Sequence, residues 1–154
     1  MGQQGHERLS GGMIRAMTAS DAGPAADLWL EASVRAHDFV ADAFWRSNHP
    51  AMAGQLLPQS EGLVHLTDGR LDGFICWKDD FVLGLFVHPG SQRRGIGSAL
   101  LEHLKQDRSR LSLHVYQQNP AALAFYESRG FVTSGRSTCP HTGCAEIVME
   151  WTAG

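Results

Sequence analysis

The stretch LFVHPGSQRRGIG, residues 85–97, joins an apolar run to a glycine-rich turn and decides how this chain folds. The apolar run, from Phe81 to Val87, predicts a strand buried on both faces, and Gly84 within it predicts a bulge or a close backbone approach. From Ile96 onward the apolar residues recur with the period of an amphipathic helix. Glycine lets backbone N–H groups approach a ligand closely, and the start of a helix carries partial positive charge. The stretch therefore predicts a binding site for a small anion where a strand passes into a helix.

Two arginines and a pair of glycines give this turn its chemical character. Arg93 and Arg94 offer charge-assisted hydrogen bonds to phosphate oxygens. A Walker loop is excluded because that motif requires Gly-Lys before Ser or Thr, and no lysine stands near the turn. A dinucleotide-binding fingerprint is excluded because its third glycine would fall at Leu100, and because the turn does not lie in an early β-α-β unit. The remaining pattern is Gln-x-x-Gly-x-Gly, from Gln92 to Gly97.

A second block lies downstream of the turn and opens another helix. It begins with NPAA at residues 119–122, where Asn is a favoured N-cap and Pro a favoured first helical residue. It continues with FYE at residues 125–127 and GF at residues 130–131. The two blocks, in this order, resemble the acetyl-CoA pyrophosphate loop and the later helix of the GNAT superfamily of N-acetyltransferases. The stretch VRAHDF, residues 34–39, is also similar to the small bacterial YjaB-like subgroup.

The resemblance implies a single α/β domain of the GNAT type, with a mixed, mostly antiparallel sheet flanked by helices. Hydrophobic periodicity predicts the element order β-α-α-β-β-β-α-β-α-β-β. Strands are expected at about 13–17, 63–67, 71–77, 81–87, 111–116, 131–135 and 145–151. Helices are expected at about 19–36, 42–56, 96–106 and 120–129, the second ending before Pro58. Residues 13–154 form the predicted domain, and the polar, glycine-rich residues 1–12 are a predicted flexible tail.

Short local signals mark several of these boundaries. Thr18 and Asp21 form a capping-box pattern at the start of the first helix. Asp68-Gly69, between two apolar runs, predicts a tight hairpin. Gly130 is expected to end the last helix in a left-handed conformation, with Phe131 packing back on the final turn.

The resemblance also implies where acetyl-CoA binds. In the family, the strand matching 81–87 splays from the strand matching 111–116, and the pantetheine arm enters the gap. The backbone of the first strand then contacts pantetheine and the thioester oxygen, as an oxyanion hole would; the matching residues here are Leu85, Phe86 and Val87. The pyrophosphate would lie on Arg93, Arg94, Gly95, Ile96, Gly97 and Ser98. Asn119 would lie beside the pantetheine and Tyr126 beside the sulfur.

Two side chains are the predicted catalytic residues. The family usually assigns the tyrosine matching Tyr126 as the acid that protonates the departing thiolate. Full transfer from a phenol of pKa about 10 to a thiolate whose acid has pKa about 8.5 is uphill by about 2 kcal/mol, so a hydrogen bond from Tyr126 is an equally plausible role. His114 is the predicted general base, since it lies five residues before Asn119, where some relatives carry a Glu given that role. Water chains are the family's other solution, and that alternative stays open.

The acceptor in this family is set by the first two helices and the late strand loops, here about residues 31–58 and 136–145. Within them His37, Asp38 and Trp45 are the predicted substrate-binding residues. The other interpretation is that His37 and Asp38 stabilise a turn, and that Trp45 packs in the core with Trp29 and Trp77. Cys139, His141 and Cys144 cluster in sequence, but a metal site needs about four ligands, so no metal is predicted.

The overall composition is typical of one soluble domain: 154 residues, 43% hydrophobic, 19% charged, formal net charge −3. A weakly acidic chain does not attract nucleic acid or anionic lipid, and no apolar run approaches the roughly 18 residues of a membrane span. Three cysteines without framework spacing favour a reducing cytoplasm.

The predicted function is acetyl-CoA-dependent N-acetyl transfer to a primary amine, directly and through a tetrahedral intermediate. The acceptor is a small-molecule or peptide amine, and acetyl-CoA is the co-substrate. The alternative is a non-catalytic acyl-CoA-binding or sensor domain; the presence of Asn119 and Tyr126 favours the enzyme. A homodimer, formed through the last strand, is left open.

Overall fold

A computed structural model describes residues 7–9, 12–92 and 94–154. Its strands form one sheet in the order β1-β2-β3-β4-β5-β6-β8-β7. The pairs are antiparallel except for β5 and β6, which run parallel. The strands are β1 Glu7–Leu9, β2 Gly12–Ala16, β3 Glu61–Thr67, β4 Arg70–Lys78, β5 Phe81–Val87, β6 Arg110–Tyr116, β7 Val132–Thr138 and β8 Ala145–Thr152. The predicted fold class, a mixed and mostly antiparallel sheet flanked by helices, is confirmed.

In the described part of the chain, five α-helices flank the sheet: α1 Ala22–Ala36, α2 Asp42–Ala51, α3 Leu57–Gln59, α4 Ile96–Lys105 and α5 Pro120–Ser128. A wider π-type turn, Met52–Leu56, joins α2 to α3. It follows Pro50, which has no N–H for the regular helical hydrogen bond. The second helical segment was predicted to end before Pro58, but the helical path continues to Gln59. Pro58 does not end it, because it lies in the first turn of α3, where proline is tolerated.

The predicted boundary signals form as expected. Thr18 donates its N–H to the carboxylate of Asp21 at 2.7 Å. Asp68 and Gly69 both have positive φ, 52° and 80°, as a two-residue type I′ hairpin requires. Gly130 has φ 91°, and the N–H of Phe131 bonds back to the last turn of α5.

The predicted tail differs from the structure at two points. Glu7–Leu9 pairs antiparallel with β2 as a short edge strand, although nothing in its composition indicates a strand. Residue 12, also assigned to the tail, is the first residue of β2. The rest of the predicted tail, residues 1–6, 10 and 11, lies outside the described residues.

Two apolar clusters fill the two faces of the sheet. One lies between the sheet and α4 with α5, and includes Leu100, Leu113, Tyr126 and Phe131. The other lies between the sheet and α1 with α2, and includes Trp29, Trp45, Val64 and Phe74. Trp29, Trp45 and Trp77 are each at most 9% exposed, which confirms their predicted place in the core. No helix in the described part of the chain is long and apolar enough to cross a bilayer.

Candidate active site

The parallel pair β5 and β6 creates the main cleft. Within the described sheet the two strands share a single paired position, Phe81 opposite Ser112. Beyond it they separate, and a cavity of about 500 Å³, the β5–β6 cleft, opens between them. Because β5 has no partner strand on that side, its backbone N–H and C=O groups are available to an extended ligand. The predicted cofactor residues of β5 all line this cleft: Leu85, Phe86 and Val87.

A bulge shapes β5 where it lines the cleft. The pairing with β4 skips from Val82 to Gly84, so Leu83 is an extra residue on β5. Leu83 is consequently 38% exposed and lines the cleft. A Cβ at Gly84 would lie 2.5 Å from the Phe86 ring, so glycine leaves room for that ring on the cleft wall. The bulge predicted from Gly84 is confirmed.

Helix α4 begins just beyond the end of β5. Gly95 precedes it with φ 80°, and its carbonyl accepts a hydrogen bond from the N–H of Ala99 at 3.0 Å. A left-handed residue at this point favours glycine. The N–H groups of Ile96, Gly97 and Ser98 lie in the first turn, where an α-helix provides no acceptor within itself. These donors and the positive end of the helix can together hold an anion such as a pyrophosphate.

The polar side chains of the turn divide between two cavities. Gln92 lines the cleft and donates from Nε2 to the carbonyl of Val87 at 3.2 Å. Arg94 is exposed and lines a separate cavity of about 280 Å³, together with His88. Arg93 lies outside the described residues. The structure therefore does not bring Arg94 into the cleft, and it adds Gln92 to the predicted residues.

Tyr126 reaches the cleft from α5. Its ring is 9% exposed and packs edge-on against Phe125 and Phe131, with centroids 5.2 and 5.4 Å away. The hydroxyl has no hydrogen-bond partner among the described residues, and the residue lines the cleft. Burial, with a smaller effect of Cys76, raises the pKa of Tyr126 above its ordinary value. The phenol is thus a neutral donor across the physiological pH range.

Asn119 links the cleft to the junction between α1 and α2. Its Oδ1 accepts the N–H of Ala122 at 3.2 Å, which caps α5, and its Nδ2 lies 3.2 Å from Nε2 of His37. Because the amide nitrogen can only donate, Nε2 of His37 is assigned as the acceptor. Burial lowers the pKa of His37 to about 4, so the ring is neutral at pH 7. His37, a predicted substrate-binding residue, therefore orients Asn119 and lines the cleft.

His114 and Glu146 form a pair on the cleft wall. Nδ1 of His114 lies 3.2 Å from Oε1 of Glu146, and both residues line the cleft. A carboxylate accepts hydrogen bonds, so in the neutral imidazole Nδ1 is assigned the proton and Nε2 the lone pair. Sequence reasoning missed Glu146, because only the pairing of β6 with β8, which places it opposite Tyr116, brings it near His114.

A second cavity of about 530 Å³, the aromatic pocket, lies beside the cleft. The two cavities share one wall, made by Trp29, Trp45, Leu83, Phe86, Tyr116, Cys139 and His141. The rest of the pocket comes from the segment that runs from α2 to α3: Phe44, Asn48, Ala51, Met52, Gln55, Leu56 and Gln59. No Asp, Glu, Lys or Arg side chain of the described chain lines it.

The predicted acceptor residues occupy different places. Trp45 is 5% exposed and lines both cavities, so it packs in the core and also forms part of the cavity wall. Asp38 is exposed and lines neither cavity, so the structure does not bring it to the site.

The loop between β7 and β8 contributes Cys139, Pro140 and His141 to the lining of the cleft. Cys139 lines both cavities, and its Sγ lies 3.4 Å from the hydroxyl of Tyr116. Burial alone would raise the pKa of Cys139, but hydrogen bonds from Thr142 and Tyr116 lower it overall. Within the described ranges, no three His, Cys, Asp or Glu side chains converge as metal ligands.

Residues 25–153 match the sequence profile of the acetyltransferase (GNAT) domain. This chain belongs to the GNAT family. It is 33% identical over 140 residues to the peptidyl-lysine N-acetyltransferase YiaC of Escherichia coli, a match that covers 90% of this chain and 96% of the relative. The predicted enzyme class and acetyl-CoA as co-substrate are therefore confirmed: this GNAT protein is an acetyl-CoA-dependent N-acetyltransferase. No finding favours the non-catalytic alternative.

Solved structures share the GNAT fold of this chain. The solution structure of apo YjaB from Escherichia coli superposes with a TM-score of 0.81 at 21% identity, covering 93% of this chain and 99% of YjaB. The PaiA N-acetyltransferase of Thermoplasma acidophilum, solved with coenzyme A, superposes with a TM-score of 0.78 at 19% identity, covering 92% and 99%. The predicted resemblance to the YjaB-like members is confirmed.

Proposed function

We propose that this GNAT enzyme acetylates the side-chain amine of lysine in peptides or proteins. The main support is that a second cavity lies beside the β5–β6 cleft and shares part of its lining, which leaves room for an acceptor larger than a free amine. The relative YiaC is named as a peptidyl-lysine acetyltransferase, and this chain matches nearly its whole length.

The β5 side of the cleft holds the donor in this proposal. The backbone between Leu85 and Val87 offers N–H and C=O groups to the pantetheine arm and an N–H to the thioester oxygen. The first turn of α4, with Gly95 before it, binds the pyrophosphate. Tyr126 remains protonated and donates a hydrogen bond to the sulfur as negative charge develops on it.

His114 accepts the proton of the attacking amine, and Glu146 is the positioning residue that keeps the proton on Nδ1. A lysine amine of pKa about 10.4 is neutral in only about one molecule in 10³ at pH 7, so a base near the cleft gives a real advantage. The opposite wall, from His37 to Asn119, contributes no charge at this pH.

A thiol-release assay with acetyl-CoA tests the proposal. Release should occur with a lysine peptide whose N-terminus is blocked, and it should be much weaker with polyamines or free amino acids. The His114→Gln variant should lose about 100-fold in kcat/KM. The control is His49→Gln, because His49 also pairs with a carboxylate, Asp27 at 2.8 Å, but lies outside both cavities. Release with small amines alone would overturn the proposal.

Two further parts of the proposal concern location and assembly. A cytoplasmic location is supported by the three free cysteines, Cys76, Cys139 and Cys144. Cell fractionation with the natural host tests it. A homodimer through the last strands stays a prediction, which sedimentation at several protein concentrations would decide.

A further inference from the structure

The aromatic pocket contains more apolar surface than a lysine side chain needs. Three large hydrophobic residues of the described chain are notably exposed: Leu56, Leu83 and Val132. Two of them, Leu56 at 40% and Leu83 at 38%, line this one pocket. Exposed apolar side chains gathered at one cavity mark a binding surface, whereas scattered ones are ordinary.

The fold exposes these two leucines through two separate irregularities. Leu83 is the extra residue of the β5 bulge, and Leu56 ends the π-type turn after α2. Irregularities of this kind in strands and helices re-aim side chains and are common beside functional sites. Both occur here at the same cavity.

The pocket and the cleft are adjacent and share lining residues. Trp45 and Tyr116 stand in the wall that they share, so a ligand held in the pocket lies next to the acetyl-transfer site. The volume of about 530 Å³ is that of a small-ligand site, larger than one extended lysine stem fills. The lining contains no carboxylate or ammonium group of the described chain, and it includes the amides of Asn48, Gln55 and Gln59. An uncharged acceptor side chain therefore fits the pocket, and the exposed leucines favour an apolar one.

We infer that the aromatic pocket is a specificity subsite for a large apolar side chain of the acceptor peptide, within two residues of the acetylated lysine. Side chains two residues apart in an extended peptide lie on the same face, so one can enter the cleft while the other enters the pocket. The occupant is a Leu, Met or Phe side chain. This inference rests on the proposed function.

A peptide series tests the subsite directly. The peptides carry one lysine and a blocked N-terminus, and they differ only in having Leu, Phe, Ser or Asp at each of the two positions on either side. At one of these positions kcat/KM should be about 30-fold higher with Leu or Phe than with Ser, mainly through KM. Equal values with apolar and polar residues at every position would overturn the inference, while acetylation of all peptides would still support the proposed function.

Two matched variants connect the preference to the pocket. Leu56→Asn changes a residue that lines the pocket but not the cleft, and it should reduce the preference to about threefold or less. Val132→Asn changes an apolar residue on β7 that is even more exposed, at 64%, and lines neither cavity; it should keep the full preference. Retention of the preference in Leu56→Asn would overturn the inference. Acetylation of free arylalkylamines, combined with no acetylation of any peptide of the series, would overturn both proposals.

Discussion

Replacing Tyr126 with phenylalanine separates a role in chemistry from a role in packing. The ring is 9% exposed between Phe125 and Phe131, and phenylalanine keeps its shape there. The hydroxyl bonds to no described residue, so its removal breaks no internal hydrogen bond. The free energy of unfolding should therefore change by less than about 0.5 kcal/mol.

The effect of the same change on turnover follows from the state of the phenol. Burial raises the pKa of Tyr126, so full proton transfer to a thiolate is even less favourable than the roughly 2 kcal/mol expected in water. What remains is a hydrogen bond to a charged group, worth about 2 kcal/mol. Its loss lowers kcat by about 30-fold. The dissociation constant of acetyl-CoA should rise less than threefold, because the neutral thioester gains little from that donor.

The assay measures kcat by thiol release and acetyl-CoA affinity by calorimetry on the same preparation. Tyr116→Phe is the comparator, because Tyr116 is the other tyrosine of the chain, lines the same cleft and already bonds to Cys139. It should lose about threefold or less in kcat. A loss of equal size in kcat and in acetyl-CoA affinity for Tyr126→Phe would refute the leaving-group role, and so would unchanged kcat.

Three further predictions concern stability and cofactor binding. Burial lowers the pKa of His37 to about 4 from an ordinary value of about 6.5, so between these values the unfolded chain binds a proton that the folded chain does not. The contribution of the neutral His37 to the free energy of unfolding is complete above about pH 6.5 and is lost as the pH falls toward 4. In urea unfolding, the free energy of unfolding of His37→Gln should therefore fall by about 2 kcal/mol less over this range than that of the unchanged protein, a figure that allows for the partial exposure of the ring. Asp72→Asn disturbs the buried contact with His65 at 2.6 Å and should cost about 2 kcal/mol in the same assay at pH 7. Gly95→Ala places a side chain at φ 80°, which should cost about 1 kcal/mol and weaken acetyl-CoA binding measured by calorimetry.

Local chemistry explains why much of the fold was predictable. Asp68-Gly69 specifies its own hairpin, since both residues must have positive φ. Asn119 caps α5 through its own side chain, and Gly130 ends the helix in the left-handed conformation. In each case the signal and the structure it produces lie within a few residues of each other.

The residues that escaped prediction depend on contacts between distant parts of the chain. Glu146 contacts His114 only because β8 pairs with β6. The alternation of polar and apolar residues along β8 predicts on which face Glu146 lies, but not which side chain it contacts. Arg94 was expected at the phosphates from its place beside Gly95, yet its side chain lines another cavity. The direction in which a side chain leaves a turn depends on the residues that pack around it, and the spacing of a motif carries no information about that packing.

The same division separates the two halves of the active site. The donor half comes from the continuous segment β5-α4-β6-α5, where strand, turn and helix follow one another, so a single motif can encode it. The proposed acceptor half combines α1 and α2 with the β7–β8 loop, about a hundred residues later, and no short motif spans that distance. Under the proposed function, substitutions at positions such as Leu56 should therefore change which peptide is acetylated without affecting the acetyl-CoA site. For this reason the family membership identifies the donor, while the walls of the aromatic pocket are the proposed determinant of the acceptor.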